Sequence, residues 1–249
     1  MQLLLANVLN EAEKLIHQKK TRAALLLTIA VPVLSALLLD RLHSNTGVVL
    51  ISSASFPISM LRLFTSVLLP LFLFMTVAEM FSGEVASRTM KHVLVRPIAR
   101  AKIFASKVIV IALFILGHLG ILWLISVLIG TFLDSTGVLN GFFEGVMGYL
   151  AAFAPMLAIG LIAVFISIWV DSSVGSLALC MFIYIAAKLL PFIFPQVATW
   201  SAFSYTDWHM MWMGNGATYA NLFPVFIFLL SNCIISYTMG WYLFEKKQY

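Results

Sequence analysis

Six apolar runs, at about 23–39, 63–81, 108–133, 146–170, 174–195 and 222–244, constrain this chain more than any other feature. Crossing a hydrocarbon layer ~30 Å thick takes about 20 apolar residues in a helix, and a helix satisfies its own backbone polar groups there. The shortest run, 23–39, contains Pro32, which a membrane helix tolerates when neighbours satisfy the freed carbonyl. Asp40-Arg41-Leu42-His43 follows it in place of a small-residue cleavage site, so this run reads as a retained span and not as a cleaved leader. With 62% apolar and 10% charged residues, against about 25% charged in an ordinary soluble domain, the chain has too little polar surface to cover a globule. The expected fold is all-α, a polytopic membrane protein with six transmembrane helices.

The basic residues orient it. The formal charge is +5, and an excess of this kind in a membrane protein reflects topology before nucleic acid. Twelve of the fifteen Lys and Arg fall on one side if both termini are cytoplasmic: Lys14, Lys19, Lys20, Arg22, Arg88, Lys91, Arg96, Arg100, Lys102, Lys107, Lys246 and Lys247. Arg41 and Arg62 lie opposite, and Lys188 lies within a span. An N-in/C-in multi-pass protein of a cell inner or plasma membrane, bacterial in character, is expected. Residues 1–249 read as a single transmembrane domain without repeats or a soluble module. Cys180 and Cys233 both sit in apolar runs without metal-ligand spacing, so neither a disulfide nor a metal site is expected.

Two cytoplasmic segments stand out. Residues 1–21 predict an amphipathic interfacial helix: Leu4, Leu5, Val8, Leu9, Ala12, Leu15 and Ile16 fall within an arc of about 140°, with Asn7, Asn10, Lys14 and His17 opposite. It reads as an anchor on the inner leaflet or as part of a docking surface for a cytoplasmic partner. The stretch 82–107 joins the second and third spans and carries six of the twelve cytoplasmic positive charges. Ser82 is suited to an N-cap and Glu84 to a first helical turn, while Pro97 pushes Arg96 out of helical geometry. A short helix over 84–95 bearing Arg88, Lys91 and His92, with Arg96 just beyond it, is expected, and Pro97 can open the helix that follows. Between the fourth and fifth spans only Asp171-Ser172-Ser173 remains, a tight turn whose side chains can cap the next helix.

Glu84, Thr89, Pro97, Arg100 and Lys107 occur at intervals of five, eight, three and seven, directly after the second span. In this the chain resembles the membrane (permease) subunits of ABC exporters of type 2, although Arg88 stands where those proteins usually have Gly before the Thr. The resemblance extends to the acidic-basic segment before the first span, the six spans, the short turn after the fourth and the long segment before the sixth. It implies that 82–107 is a coupling loop inserted into a separate ATP-hydrolysing subunit, with Glu84, Thr89, Pro97, Arg100 and Lys107 in the family's positions. By location Arg88, Lys91, His92 and Arg96 join the coupling residues. It also implies export, a second permease chain and two ATPase subunits with the ATP-Mg they bind. Too few polar groups line the spans for a sugar or ion, so the expected cargo is apolar or amphiphilic, such as a peptide antibiotic, drug or lipid. Compact members of the family include bacteriocin self-immunity permeases, which would tie the chain to antibiotic resistance. The chain itself is not expected to be an enzyme or to hold a cofactor: no Gly is followed by Lys, so it has no P-loop.

An ionisable group at mid-membrane costs about 2.5–3.5 kcal/mol on insertion scales, so each one calls for a reason. His118, between Gly117 and Gly120, either hydrogen-bonds a neighbouring helix or lines a substrate path. Lys188 can snorkel to the outer surface or face the path. Glu79, in the last turn of the second span, pairs with Arg88 or another internal cation, or serves a gate. Asn232 reads as glue between helices or as a ligand. Outside, 196–221 gathers Trp200, Trp208, Trp212, Tyr205, Tyr219 and three Met, as an interfacial segment or an outer gate for an amphiphile. A six-span serine protease would need a Ser and a His at one depth; Ser176 lies at the inner end of a span and His209 outside. A secondary transporter or channel is the remaining alternative, without the inverted repeat or the intramembrane charge it usually shows.

Overall fold

A computed structural model describes residues 2–46, 56–88, 99–133, 141–212 and 219–247, and every regular element among them is helical. Helix α1 (Gln2–His17) is followed after Gln18 by α2 (Lys19–Thr46). Then come α3 (Phe56–Ala86), α4 (Arg100–Leu133), α5 (Phe142–Trp169), α6 (Ser173–Ile193) and α7 (Tyr219–Lys246). Two 3₁₀ segments, Pro195–Trp200 and Ala202–Trp212, lie between α6 and α7. Helices α2 to α7 are each long and apolar enough to cross a membrane, six among the described residues. Four of the expected spans fall inside them, while 146–170 and 174–195 run one and two residues past the ends of α5 and α6. Helices α3 and α4 run well past the apolar stretches, so the polar residues near 84 and 107 stay helical.

Helix α5 is the centre of the bundle, with 67% of its spanning window buried, against 11% for α7. The reason is side-chain size. Gly145, Gly148, Ala151, Ala152, Ala158, Gly160 and Ala163 are all buried along α5 and let neighbouring backbones come close. A Cβ at Gly160 would lie 3.2 Å from Leu73 of α3 and 3.5 Å from Ile111 of α4. On the periphery, Leu34, Leu38, Phe182, Leu189, Ile234 and Ile235 point away from the bundle.

Helix α3 is not uniform. It contains two π turns, Phe64–Leu68 and Glu79–Gly83. Pro70 lacks the amide that would close a turn on the Ser66 carbonyl, and the Tyr184 hydroxyl of α6 donates to that carbonyl at 2.5 Å in its place. Helix ends are satisfied in the same way. Arg22 donates from Nη2 to the His17 carbonyl at 2.8 Å and from Nε to that of Ile16 at 3.3 Å, finishing α1. At the end of α5, the orphan carbonyl of Ser167 accepts from Ser82 Oγ at 2.8 Å and that of Ile168 from Lys247 Nζ at 2.6 Å. Ser172 caps α6 as expected, accepting from the Gly175 amide at 3.3 Å.

Ser82 is therefore not an N-cap. It lies inside the second π turn with its hydroxyl committed to α5, because α3 continues without a break from the membrane to Ala86. The expected helix over 84–95 loses its beginning: Glu84 to Ala86 belong to the end of α3, and the helix stops at Ser87–Arg88.

Candidate functional site

The end of α3 shows why the chain turns where it does. Ser87 has φ −82° and ψ 0°, and Arg88 has φ +58°, with the Arg88 amide bonding the Val85 carbonyl at 3.0 Å. This is the left-handed C-terminal stop that Gly usually supplies, because a Cβ there meets the following carbonyl oxygen. An Arg in that place costs about 1 kcal/mol relative to Gly. The structure thus gives a physical reason for a Gly before the Thr: the backbone there is left-handed.

One turn earlier sits Glu84, which is buried. Its Oε2 lies 2.9 Å from Nζ of Lys107, the first Lys of α4 to face inward, whose side chain is wholly buried. The same ammonium donates to Glu11 Oε2 of α1 at 3.0 Å and to the Met80 carbonyl in the second π turn at 3.3 Å. Its three hydrogens are all accounted for. Lys14 of α1 donates to the other oxygen of Glu84, closing a tetrad with two carboxylates and two ammonium groups. Beside it, Asn7 Nδ2 donates to Ser106 Oγ at 2.6 Å, and Ser106 Oγ donates to the Ile103 carbonyl at 2.7 Å.

The tetrad joins α1, α3 and α4 at the two roots of the segment 87–99. Glu11, Glu84 and Lys107 are buried while Lys14 stays exposed. Desolvating three charges is expensive, so the arrangement adds little net stability while complete, but removing Lys107 strands buried carboxylates at a cost of about 3–5 kcal/mol. It fixes where α1 lies. Asn7, Glu11 and Lys14 are spaced four and three apart, on one stripe of the helix. That spacing was the available signal, yet hydropathy assigns such a stripe to water. Asn7 and Glu11 are instead buried, while Leu5, Leu9 and Ile16 of the apolar arc are exposed. The other four residues of that arc, Leu4, Val8, Ala12 and Leu15, pack on the core.

Of the remaining coupling residues, Arg100 is held at a helix end. Arg100 Nη1 donates to the Glu245 carbonyl at 2.9 Å and to that of Lys247 at 3.4 Å, so the first residue of α4 closes the C-terminus of α7. Lys247 also pairs with Asp171 at 2.6 Å. Glu79 pairs with Lys20 of α2 and not with Arg88. Thr89, Lys91, His92, Arg96 and Pro97 lie outside the described residues.

The four residues expected along a path do not converge. Glu79 is at the tetrad end of the bundle. His118 is buried in α4 between Phe72 and Phe114, with Nδ1 on the Phe114 carbonyl of its own helix at 2.9 Å and no partner for Nε2 among the described residues. Asn232 likewise bonds back to its own helix, at the Phe228 carbonyl, 2.9 Å away. Lys188, at the opposite end, donates to Thr206 in the segment Ala202–Trp212 at 2.5 Å.

That segment forms the far end. It packs against α5, burying Phe203, Trp208 and His209, and Arg62 of α3 reaches Asp207 at 3.9 Å. Burial pushes the His209 imidazole below its ordinary pKa, with the Asp207 carboxylate acting in the opposite direction. Between the segment, α5 and α7 lies a groove of about 850 Å³. No group of three or more His, Cys, Asp and Glu able to hold a metal occurs among the described residues.

A protein-family model described as "ABC-2 family transporter protein" matches residues 8–188. The match begins in α1 and ends in α6, and so spans the tetrad and both roots of the segment 87–99. No curated protein matches the chain.

Proposed function

Since the chain belongs to the ABC-2 family of transporter proteins, whose permeases are membrane transport components, we propose that it forms the path of an exporter driven by a separate ATPase. Two copies of the chain, or this chain and a related one, enclose the path, and two ATPase subunits with ATP-Mg power it. Both termini and the segment 87–99 face the cytoplasm of a bacterial cell. The cargo is apolar or amphiphilic, since the spans offer few polar partners to a sugar or an ion.

The observation that carries this reading is the tetrad. Glu84 and Lys107 stand at the two ends of the loop that would enter the ATPase, and they are bonded to each other and to α1. A push on Arg88, Thr89, Lys91, His92, Arg96, Pro97 and Arg100 therefore reaches α1, α3 and α4 together and is not spent in bending the loop. The π turns and Pro70 interrupt the regular hydrogen bonding of α3, where a rigid push can become a change of tilt that switches access. The positive-inside balance supports the orientation.

The test is a chain carrying Arg88→Glu and Lys91→Glu, isolated by a tag from its native membranes. The expected result is loss of the co-purifying ATPase and of chain-stimulated hydrolysis. Normal recovery together with normal stimulation overturns the docking assignment. A thiol at position 89 labelled in intact cells by an impermeant reagent overturns the orientation.

A further inference from the structure

The groove at the end opposite the tetrad is walled by α5, by the segment Ala202–Trp212 and by the start of α7. All eleven residues lining it are apolar, Met147, Leu150, Ala154, Trp208, Trp212 and Phe226 among them. Its volume of about 850 Å³ lies within the ~300–1,000 Å³ of ordinary ligand sites. Glu144 stands three residues before Met147, one helical turn further out on the same face of α5, and is exposed. At this end Arg62 is engaged by Asp207 and Lys188 by Thr206, whereas Glu144 has no ion-pair partner among the described residues.

A second observation concerns the wall. Eight buried side-chain nitrogen and oxygen atoms lack a hydrogen-bond partner among the described residues, and five of them belong to Ser204, Asp207, Trp208 and His209. Each such atom left unpaired costs about 1–3 kcal/mol, and of these four residues only Trp208 lines the groove, so the others stand behind its wall.

We propose that this groove binds the apolar part of a cationic amphiphile, with the basic head group held at the Glu144 carboxylate. Apart from the Trp208 indole N–H the lining gives a polar solute no partner, and the charge at the mouth favours a cation over an anion. The inference rests on the reading of the chain as a permease for amphiphiles and names the class of molecule.

The experiment uses the full chain in neutral phosphatidylcholine nanodiscs, without any ATPase. The probe is a dodecyl quaternary-ammonium compound with a photoreactive diazirine at its tail, compared with a dodecyl sulfate of the same length and tip. The cationic probe is expected to label peptides covering 147–154 and 222–226, about fivefold more than the anionic one, the worth of one partly exposed ion pair. Glu144→Gln removes the preference; Ala154→Phe or, if that variant melts early, Leu150→Trp removes labelling of these peptides by both probes. Equal labelling by the two probes in the unaltered chain, labelling that ignores the filled groove, or a second copy of the chain cross-linked there overturns the proposal. Coupling to an ATPase plays no part in this readout, so the groove and the docking assignment fail separately.

Discussion

The two ends of the bundle handle buried polarity in opposite ways. At the tetrad end, Lys107 has no exposed surface, yet every hydrogen of its ammonium has a partner on α1 or α3. At the groove end, His209 is equally buried, and its ring finds at most the Thr206 backbone of its own segment. A fully paired ionic cluster has one good arrangement, because any displacement uncovers a charge. A set of unpaired polar groups has no such constraint and gains from rearranging. The difference suits a lever at one end and a binding or gating surface at the other.

The most direct way to break this comparison is Lys107→Met. It leaves Glu11 and Glu84 facing each other in the interior, and the expected loss is about 3–5 kcal/mol, read as a large drop in melting temperature of the detergent-solubilised chain. A loss below ~1 kcal/mol would mean that water already reaches the tetrad and that it is no lever. Next in size is Arg88→Gly, which relieves the left-handed backbone at the end of α3. A gain of about 1 kcal/mol is expected in the same melt, and a loss would locate the Arg88 side chain in a contact that outweighs the strain. The smallest effect belongs to Arg62→Ala. Its pair with Asp207 spans 3.9 Å between two exposed side chains, so stability should change by less than ~1 kcal/mol. Hydrogen exchange across 202–212 would sharpen the comparison, because a loosely determined segment should show faster exchange in this variant without loss of the fold.

The spans were legible because hydropathy is a local property: each apolar run declares itself without reference to the others. Capping at Ser172 was legible for the same reason. The family spacing from Glu84 to Lys107 was visible too, but not that the two residues bond each other. Of the polar face Asn7, Asn10, Lys14 and His17, three residues are exposed as read and Asn7 is buried, since periodicity reports which residues share a side and not what lies opposite. Ser82 was misread as a cap because the chemistry of a hydroxyl fits either use, and only the end of α5 decides between them.

By itself, the order of residues determined six apolar helices, because transfer of a side chain into hydrocarbon depends on that side chain alone. The tertiary structure decided which carboxylate meets which ammonium. Glu11 and Lys107 are 96 positions apart, Lys14 and Glu84 70, and Arg100 and the Glu245 carbonyl 145. Such partners are chosen when helices pack. A buried charge cannot remain alone, and the packing determines what it can reach.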